Sequence, residues 1–538
     1  MRARPVKEAE NRLYGFNAER PTILADLERR VVASRLEAAK KGGDHSLEYV
    51  LNDVAYQEVR RLESGPASAS EKKRLPEWRE LARRLGAMTD EEKRRRLSEL
   101  VHDYGADVAG NFDNRVYTFA RGVLPRLLSA LLSPHNLKEG LSSLGDLSRR
   151  VEVQGPMDRL RTCADRGTLI VTPTHVSNLD SVVMGYSLEQ AGLPPCTYGA
   201  GKNLWSNPFL GFFMRNLGAY RVDRRLKNAL YLEVLKEYST IVLERGYHQM
   251  FFPGGTRSRS GALEKRLKLG LLGTGLTAYV NHLREGMPNR RLYVVPATIN
   301  MGIALEAETL IEDYLAEQGK QRYIIEDDEA TRLSRIIDFS RKILTLEGAV
   351  LIRYGEPLDP FGNLVDDDGE SLDARGRRVD PGAYVTGAAG QVAVDPQRDA
   401  EYTRLLSEEL LKAYRKHTIF LPTVLVARCL YDRLAARSKT RDIYRLLRTG
   451  EGFEVSIDVL REDVDRLRRA IAQRPEVGEV HERVRGMRPA DIVDDALRAY
   501  KGYHTRPVAE RYGDVVPIRH LRLLYYYQNR TEHLGSWQ

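Results

Sequence analysis

The sequence predicts an α/β fold, with helix-rich regions on either side of a strand-bearing centre. Three observations carry this. Short apolar runs recur through the middle of the chain: "TLIVT" (168–172), "HQMFFPG" (248–254), "RLYVVPATI" (291–299) and "GAVLIRYG" (348–355). Helical patterns such as "LKNALYLEVLKEYSTIVLERG" (226–246) lie between them. The flanks, by contrast, show helical spacing almost throughout. Strand alternating with helix implies helices layered on a sheet.

Taken in order, residues 1–150 form an N-terminal helical region. "PTILADLERRVVASRLEAAKK" (21–41) repeats apolar residues at three- and four-residue intervals and is rich in strong helix formers. In "EKKRLPEWRELARRLGAMTDEEKRRRLSEL" (71–100), Thr89-Asp90-Glu91-Glu92 has the form of a helix start. Residues 151–355 form the α/β part. Residues 356–400, with "GNLVDDDGESLDARGRRVDPG" at 362–382, are expected to be a Gly/Asp-rich loop or small hairpin insertion, and no internal repeat is read along the chain. An EF-hand reading of its acidic run fails, because Leu364 stands where an oxygen ligand is needed. Residues 401–538 are again helical.

The chain has 538 residues, 30% of them charged and 42% hydrophobic, which excludes a disordered class. Its net charge of +9 favours anionic partners. The three cysteines, Cys163, Cys196 and Cys429, are far apart and form no CxxC, so neither a disulfide framework nor a zinc site is expected and a reducing compartment fits. No metal site is expected. No apolar run is long enough to span a bilayer, and no signal peptide is evident. Nucleic-acid binding finds no zinc pattern, aromatic RNA-binding motif or basic recognition helix.

The chemistry is expected where the first apolar run ends. In "THVSNLDS" (174–181), His175 and Asp180 are five positions apart. That is not a same-face helical spacing, so they meet only if the chain turns between strand and helix. In that geometry the carboxylate takes one ring nitrogen and leaves the other basic. The alternative is a polar pair satisfied at a helix cap. Further along, "GKNLWSNPFLGFFMRNLGAYRVDRR" (201–225) brings Lys202, Arg221, Arg224 and Arg225, and "FFPGGTRSRSG" (251–261) brings Arg257 and Arg259 after a glycine turn. Arginine forks suit phosphate, and ligands of open α/β sheets bind beyond the strand C-termini.

These segments, followed by "VVPATI" (294–299), resemble in order the four blocks of the glycerolipid acyltransferases. "HVSNLD" matches the H-x4-D block. Lys202, Pro208, Gly211, Gly218 and Arg224 match the second block's spacing. The helical N-terminal part and the "LLYYYQNR" ending are similar to the large glycerol-3-phosphate acyltransferases. There are two departures. Gly254 stands where the family's third block usually has glutamate, and Asp223, in "YRVDRR", resembles the smaller lysophosphatidate enzymes.

The resemblance implies a central mixed sheet flanked by helices. It also implies transfer of a fatty acyl group from acyl-CoA or acyl-carrier protein to glycerol-3-phosphate, with no bound cofactor. Lysophosphatidate is the alternative acceptor, and a degenerate, non-catalytic lipid-binding or scaffold protein is the alternative of another class. His175 would be the base and Asp180 its orienting partner. Lys202, Arg221, Arg224, Arg257 and Arg259 would hold the phosphate. The turn Gly254, Gly255 and Thr256 would serve the oxyanion, and Pro296 the acyl site or the sheet. A peripheral site on the cytoplasmic side of an anionic membrane follows. "RVYTFARGVLPRLLSALLSPHNL" (115–137) is either its contact or a packed helix, as is "HTIFLPTVLVARCLY" (417–431).

Overall fold

A computed structural model describes residues 12–121, 151–318 and 350–537, apart from 65–66, 68, 178–179, 203–204, 206–207, 305, 388–389, 451 and 505. Seven strands form the central sheet: β1 (Val151–Gln154), β2 (Gly167–Pro173), β3 (Thr197–Gly201), β4 (Ala219–Val222), β5 (Gln249–Met250), β6 (Arg291–Met301) and β7 (Val350–Tyr354). Their spatial order is β1-β7-β6-β2-β5-β3-β4. From β6 to β4 all neighbours are parallel; β7 runs antiparallel to β6, with β1 parallel beside it. The sheet is therefore mixed, as expected.

β2 lies inside the sheet between β6 and β5, which explains its unbroken apolar run: both faces are covered. Leu169 and Val171 point into one core and Ile170 into another, as a two-residue strand period requires. The first core joins the sheet to the helix Asp180–Ala191 and to the C-terminal helices Pro422–Ser438, Ile457–Ala472, Pro489–Tyr503 and Leu521–Asn529. The second packs the helices Leu269–Arg284 and Pro396–Lys416 on the opposite face. In a third core, the N-terminal helices Phe16–Ala39, Leu47–Ser64, Leu75–Arg84 and Asp90–Val108 pack on the helix Ala229–Glu244. The expected start at Thr89 is a capping box: its hydroxyl accepts the Glu92 N–H, and Glu92 accepts the Thr89 N–H.

Two expectations change. The segment 356–400 does contain a repeat. Asp359, Asp366, Asp373 and Asp380 recur every seven residues, and the first three each open a turn closed by a glycine, Gly362, Gly369 or Gly376, at positive φ. Each of those three aspartates accepts two backbone N–H groups on one carboxylate oxygen, at 2.9–3.0 Å. The second change concerns 417–431, most of which lies in the helix Pro422–Ser438, where Val424 through Tyr431 are buried, so it is a core helix. Of the membrane candidate 115–137, residues 122–137 lie outside the described residues. Among the described residues no helix is long and apolar enough to cross a membrane.

Candidate active site

β2 ends at the C-terminal edge of the parallel strands, and Thr174 fixes its exit. The Thr174 N–H donates to the Ala297 carbonyl (2.9 Å), and its hydroxyl accepts the Ile299 N–H (3.0 Å). The chain then turns, and His175 Nδ1 meets Asp180 Oδ2 at 2.8 Å. The same oxygen accepts the N–H groups of Val176 (2.6 Å) and Ser177 (2.8 Å), so the turn and the pair are one structure. Asp180 is fully buried and opens the helix Asp180–Ala191. Facing a carboxylate, Nδ1 is assigned as the protonated nitrogen, which leaves the lone pair on Nε2. Among the described residues nothing bonds Nε2. The ring stacks on Phe252, centroids 4.2 Å apart.

The third block is stitched to this turn. The Ser258 N–H donates to the His175 carbonyl at 2.8 Å, which puts Arg257 beside the pair. Arg257 pairs with the buried Glu306 (3.3 Å), which also accepts the Ser177 hydroxyl (3.0 Å). Arg224 approaches from the end of β4. It is exposed, yet its guanidinium stands among protein atoms and near the Arg257 charge, and both lower its pKa from the ordinary arginine value. Among the described residues no carboxylate pairs with it.

The other expected phosphate ligands are each ion-paired with acids. Lys202 and Arg225 bracket the buried Asp223 at 3.0 and 2.9 Å and share Glu71 from the N-terminal helices. Burial would raise the Asp223 carboxyl, but Arg225 and Lys202 outweigh it and hold it well below the usual carboxylate range. Arg221 pairs with Asp107 and lies over the Trp205 ring (4.7 Å). Arg259 pairs with Glu317 (3.0 Å). The expected single cluster of five cations is thus divided: Lys202, Arg221 and Arg259 are drawn to Glu71 and Asp223, Asp107, and Glu317, while Arg257, paired with Glu306, stays near Arg224.

The glycine turn also differs from expectation. The Gly255 N–H closes onto the Phe252 carbonyl (2.9 Å) and is not free for an oxyanion. Among the described residues the Thr256 amide has no hydrogen-bond partner. Pro296 is buried within β6, opposite Thr172, and its carbonyl accepts the Gly355 N–H (2.8 Å), which makes it a sheet residue.

Sequence reasoning missed Glu264, Glu306 and the place of the C-terminal helix Leu521–Asn529 beside the site. Glu264 Oε1 accepts the His175 N–H at 2.9 Å. Burial raises its carboxyl pKa against the pull of that N–H and of Arg530. A side chain at 254 would collide with it: a Cβ there lies 2.9 Å from Glu264 Cγ. The bare Gly254 was the available signal. Tyr526, Tyr527 and Arg530 close the site from behind, around a cavity of about 20 Å³ that Val176, Ser258 and Gly261 also line.

Residues 150–300 match the Acyltransferase family model. Similar proteins include the glycerol-3-phosphate acyltransferases of Xanthomonas axonopodis pv. citri (29% identical over 203 residues, 38% of this chain and 21% of the relative) and Pasteurella multocida (31% over 214 residues, 39% and 24%). The Haemophilus ducreyi enzyme of the same name is 32% identical over 203 residues, 37% of this chain and 23% of the relative. The match thus spans less than a quarter of these relatives' own length.

Proposed function

We propose that this chain, whose residues 150–300 carry an acyltransferase domain, is an O-acyltransferase. It moves a fatty acyl group from acyl-CoA or acyl-carrier protein to glycerol-3-phosphate. One observation carries the reading: a His175–Asp180 pair at 2.8 Å, with nothing among the described residues bonding Nε2, on a turn tied by the Ser258 N–H to the segment of Arg257, whose charge lies near Arg224.

In this reading the acceptor phosphate bridges Arg224 and Arg257. His175 Nε2 takes the proton from the acceptor hydroxyl as its oxygen attacks the thioester carbonyl. Asp180 stabilises the imidazolium that forms and keeps its orientation. The Thr256 amide faces the oxyanion. As the tetrahedral centre collapses, the C–S bond breaks and the imidazolium returns its proton to the leaving thiolate. The acceptor itself is the nucleophile, so no acyl-enzyme is required. The three cysteines are buried, as structural thiols are.

A peripheral position on the cytoplasmic face of an anionic membrane suits the amphiphilic product and the apolar acyl chain. The net charge of +9 supports it, as do the exposed Phe119 and Phe212 on segments joined by the Asp113 N–H to Asn216 carbonyl bond (2.9 Å).

The test is product analysis by mass spectrometry with purified protein, glycerol-3-phosphate or lysophosphatidate as acceptor, and acyl-CoA or acyl-carrier protein as donor. Lysophosphatidate is the expected product, and His175→Ala abolishes it without changing the fold. Phosphatidate formed only from lysophosphatidate moves the acceptor to the alternative. Absence of product from every pairing leaves the lipid-binding scaffold.

A further inference from the structure

We propose that Glu264 is a positioning residue for His175, doing from the far side of the third-block turn what a side chain at position 254 would otherwise do. The inference rests on the acyltransfer reading for its kinetic consequence and on geometry alone for the contact.

The His175 N–H lies inside the turn that presents the imidazole, and Glu264 Oε1 is its acceptor at 2.9 Å. The His175 carbonyl is held from the other side by the Ser258 N–H (2.8 Å). Both backbone polar groups of the residue are therefore fixed by the loop 251–268. An N–H left without a partner there would let the turn reorganise. Ring and carboxylate at 2.8 Å tolerate little of that, because the Asp180 oxygen that orients the imidazole also bonds Val176 and Ser177.

Position 254 explains why an acid ten residues further on can do this. A Cβ on Gly254 would lie 2.9 Å from Glu264 Cγ and 3.3 Å from Oε1. A glutamate's own carboxylate oxygens lie about two C–C bonds and one C–O bond from its Cβ. A glutamate at 254 would therefore aim its carboxylate into the same space, so the two positions are alternative anchors for one acid. The Gly254 φ is not in the left-handed region, so the backbone accepts a side chain once Glu264 is trimmed. Arg530, from the C-terminal end of the chain, supplies a positive charge near Glu264 and is itself fixed by its bond to the Ile299 carbonyl (2.7 Å).

The experiment uses the full chain, with glycerol-3-phosphate and palmitoyl-CoA as probes, and four variants. These are Glu264→Gln, Glu264→Ala, Gly254→Glu, and the double variant Gly254→Glu/Glu264→Ala. Thermal melts verify folding, and deuterium exchange of the peptide covering 169–183 reports on the turn independently of turnover. Glu264→Ala lowers kcat by roughly tenfold to a hundredfold at nearly constant acceptor KM, and the peptide exchanges faster. Glu264→Gln keeps most of the turnover, because its amide oxygen still accepts the N–H. Gly254→Glu alone is impaired by collision and by two carboxylates in one space, and the double variant recovers most of both the turnover and the protection. The proposal is overturned if folded Glu264→Ala matches the wild type in kcat and exchange, or if the double variant is no better than Glu264→Ala in both. A wild type without turnover would remove the acyltransfer reading only, and the exchange measurement would still decide the contact.

Discussion

The charges of Arg224 and Arg257 lie near each other, and the two differ in what neutralises them. Arg257 has Glu306 at 3.3 Å, whereas Arg224 has the Arg257 charge near it and, among the described residues, no carboxylate. On the proposed reading a phosphate bound there would relieve that repulsion, so Arg224 should act on binding and hardly on folding. Losing one charge-assisted bond to phosphate costs about 2 kcal/mol, roughly thirtyfold in acceptor KM. Arg224→Ala is expected to show that rise with an unchanged melting temperature. Arg221→Ala is expected to do the reverse, because it strips Asp107 of its partner and Trp205 of its cation. Equal KM values for the two variants would contradict the division. The His175–Asp180 pair was legible because its partners lie within one local turn. The division of the cations was not, because Glu71 and Asp107 arrive from helices far upstream, and no local pattern records such a meeting.

At the scale of elements, the third-block turn is held between the turn after β2 and the C-terminal helix Leu521–Asn529. Gly261 makes the second contact possible. Its φ is +82°, and a Cβ there would lie 2.2 Å from the Tyr526 carbonyl oxygen. The Asn529 side-chain amide donates to the Ser260 carbonyl at 2.8 Å and closes the joint. Gly261→Ala should therefore destabilise the protein by at least about 2 kcal/mol, through collision and through a backbone conformation unsuited to alanine. Urea unfolding measures this, and an unchanged midpoint would mean that the joint yields freely. β2, β5, β6 and β7 were readable from their apolar runs, whereas β1, β3 and β4, short and interrupted by polar residues or glycine, were not. The aspartate turns of 356–400 were not read as a repeat, because side chains bonding their own backbone leave little hydrophobic periodicity. Their seven-residue spacing of Asp and Gly was nevertheless present in the sequence.

Among the described residues, the three largest apolar cores bind the helical flanks to the sheet, and burial carries ionisable groups with it. His248 beside β5, His417 after the helix Pro396–Lys416, and His533 near the C-terminal end are each pushed down to about 4, chiefly by burial. A histidine whose folded pKa lies below its unfolded value of about 6.5 binds its proton first in the unfolded chain. Its neutral form favours the fold in full above pH ~6.5, and that contribution is lost as pH falls from there toward about 4, with a slope of at most about 1.4 kcal/mol per pH unit for each histidine. Glu237, Glu264 and Asp359, whose carboxyls burial raises, act in the opposite sense, favouring the fold below their unfolded values. Their contribution grows as pH falls from their raised folded values toward their unfolded ones, and so offsets part of the histidine loss. The melting temperature should therefore be level between pH 8 and 7 and fall on the way to about pH 5. His248→Asn should make the fall shallower, because its amide oxygen can replace Nδ1 as acceptor of the Leu169 N–H (2.9 Å) without taking a proton. A melting temperature level down to about pH 5 would show that these histidines reach solvent and ionise without disturbing the cores around them.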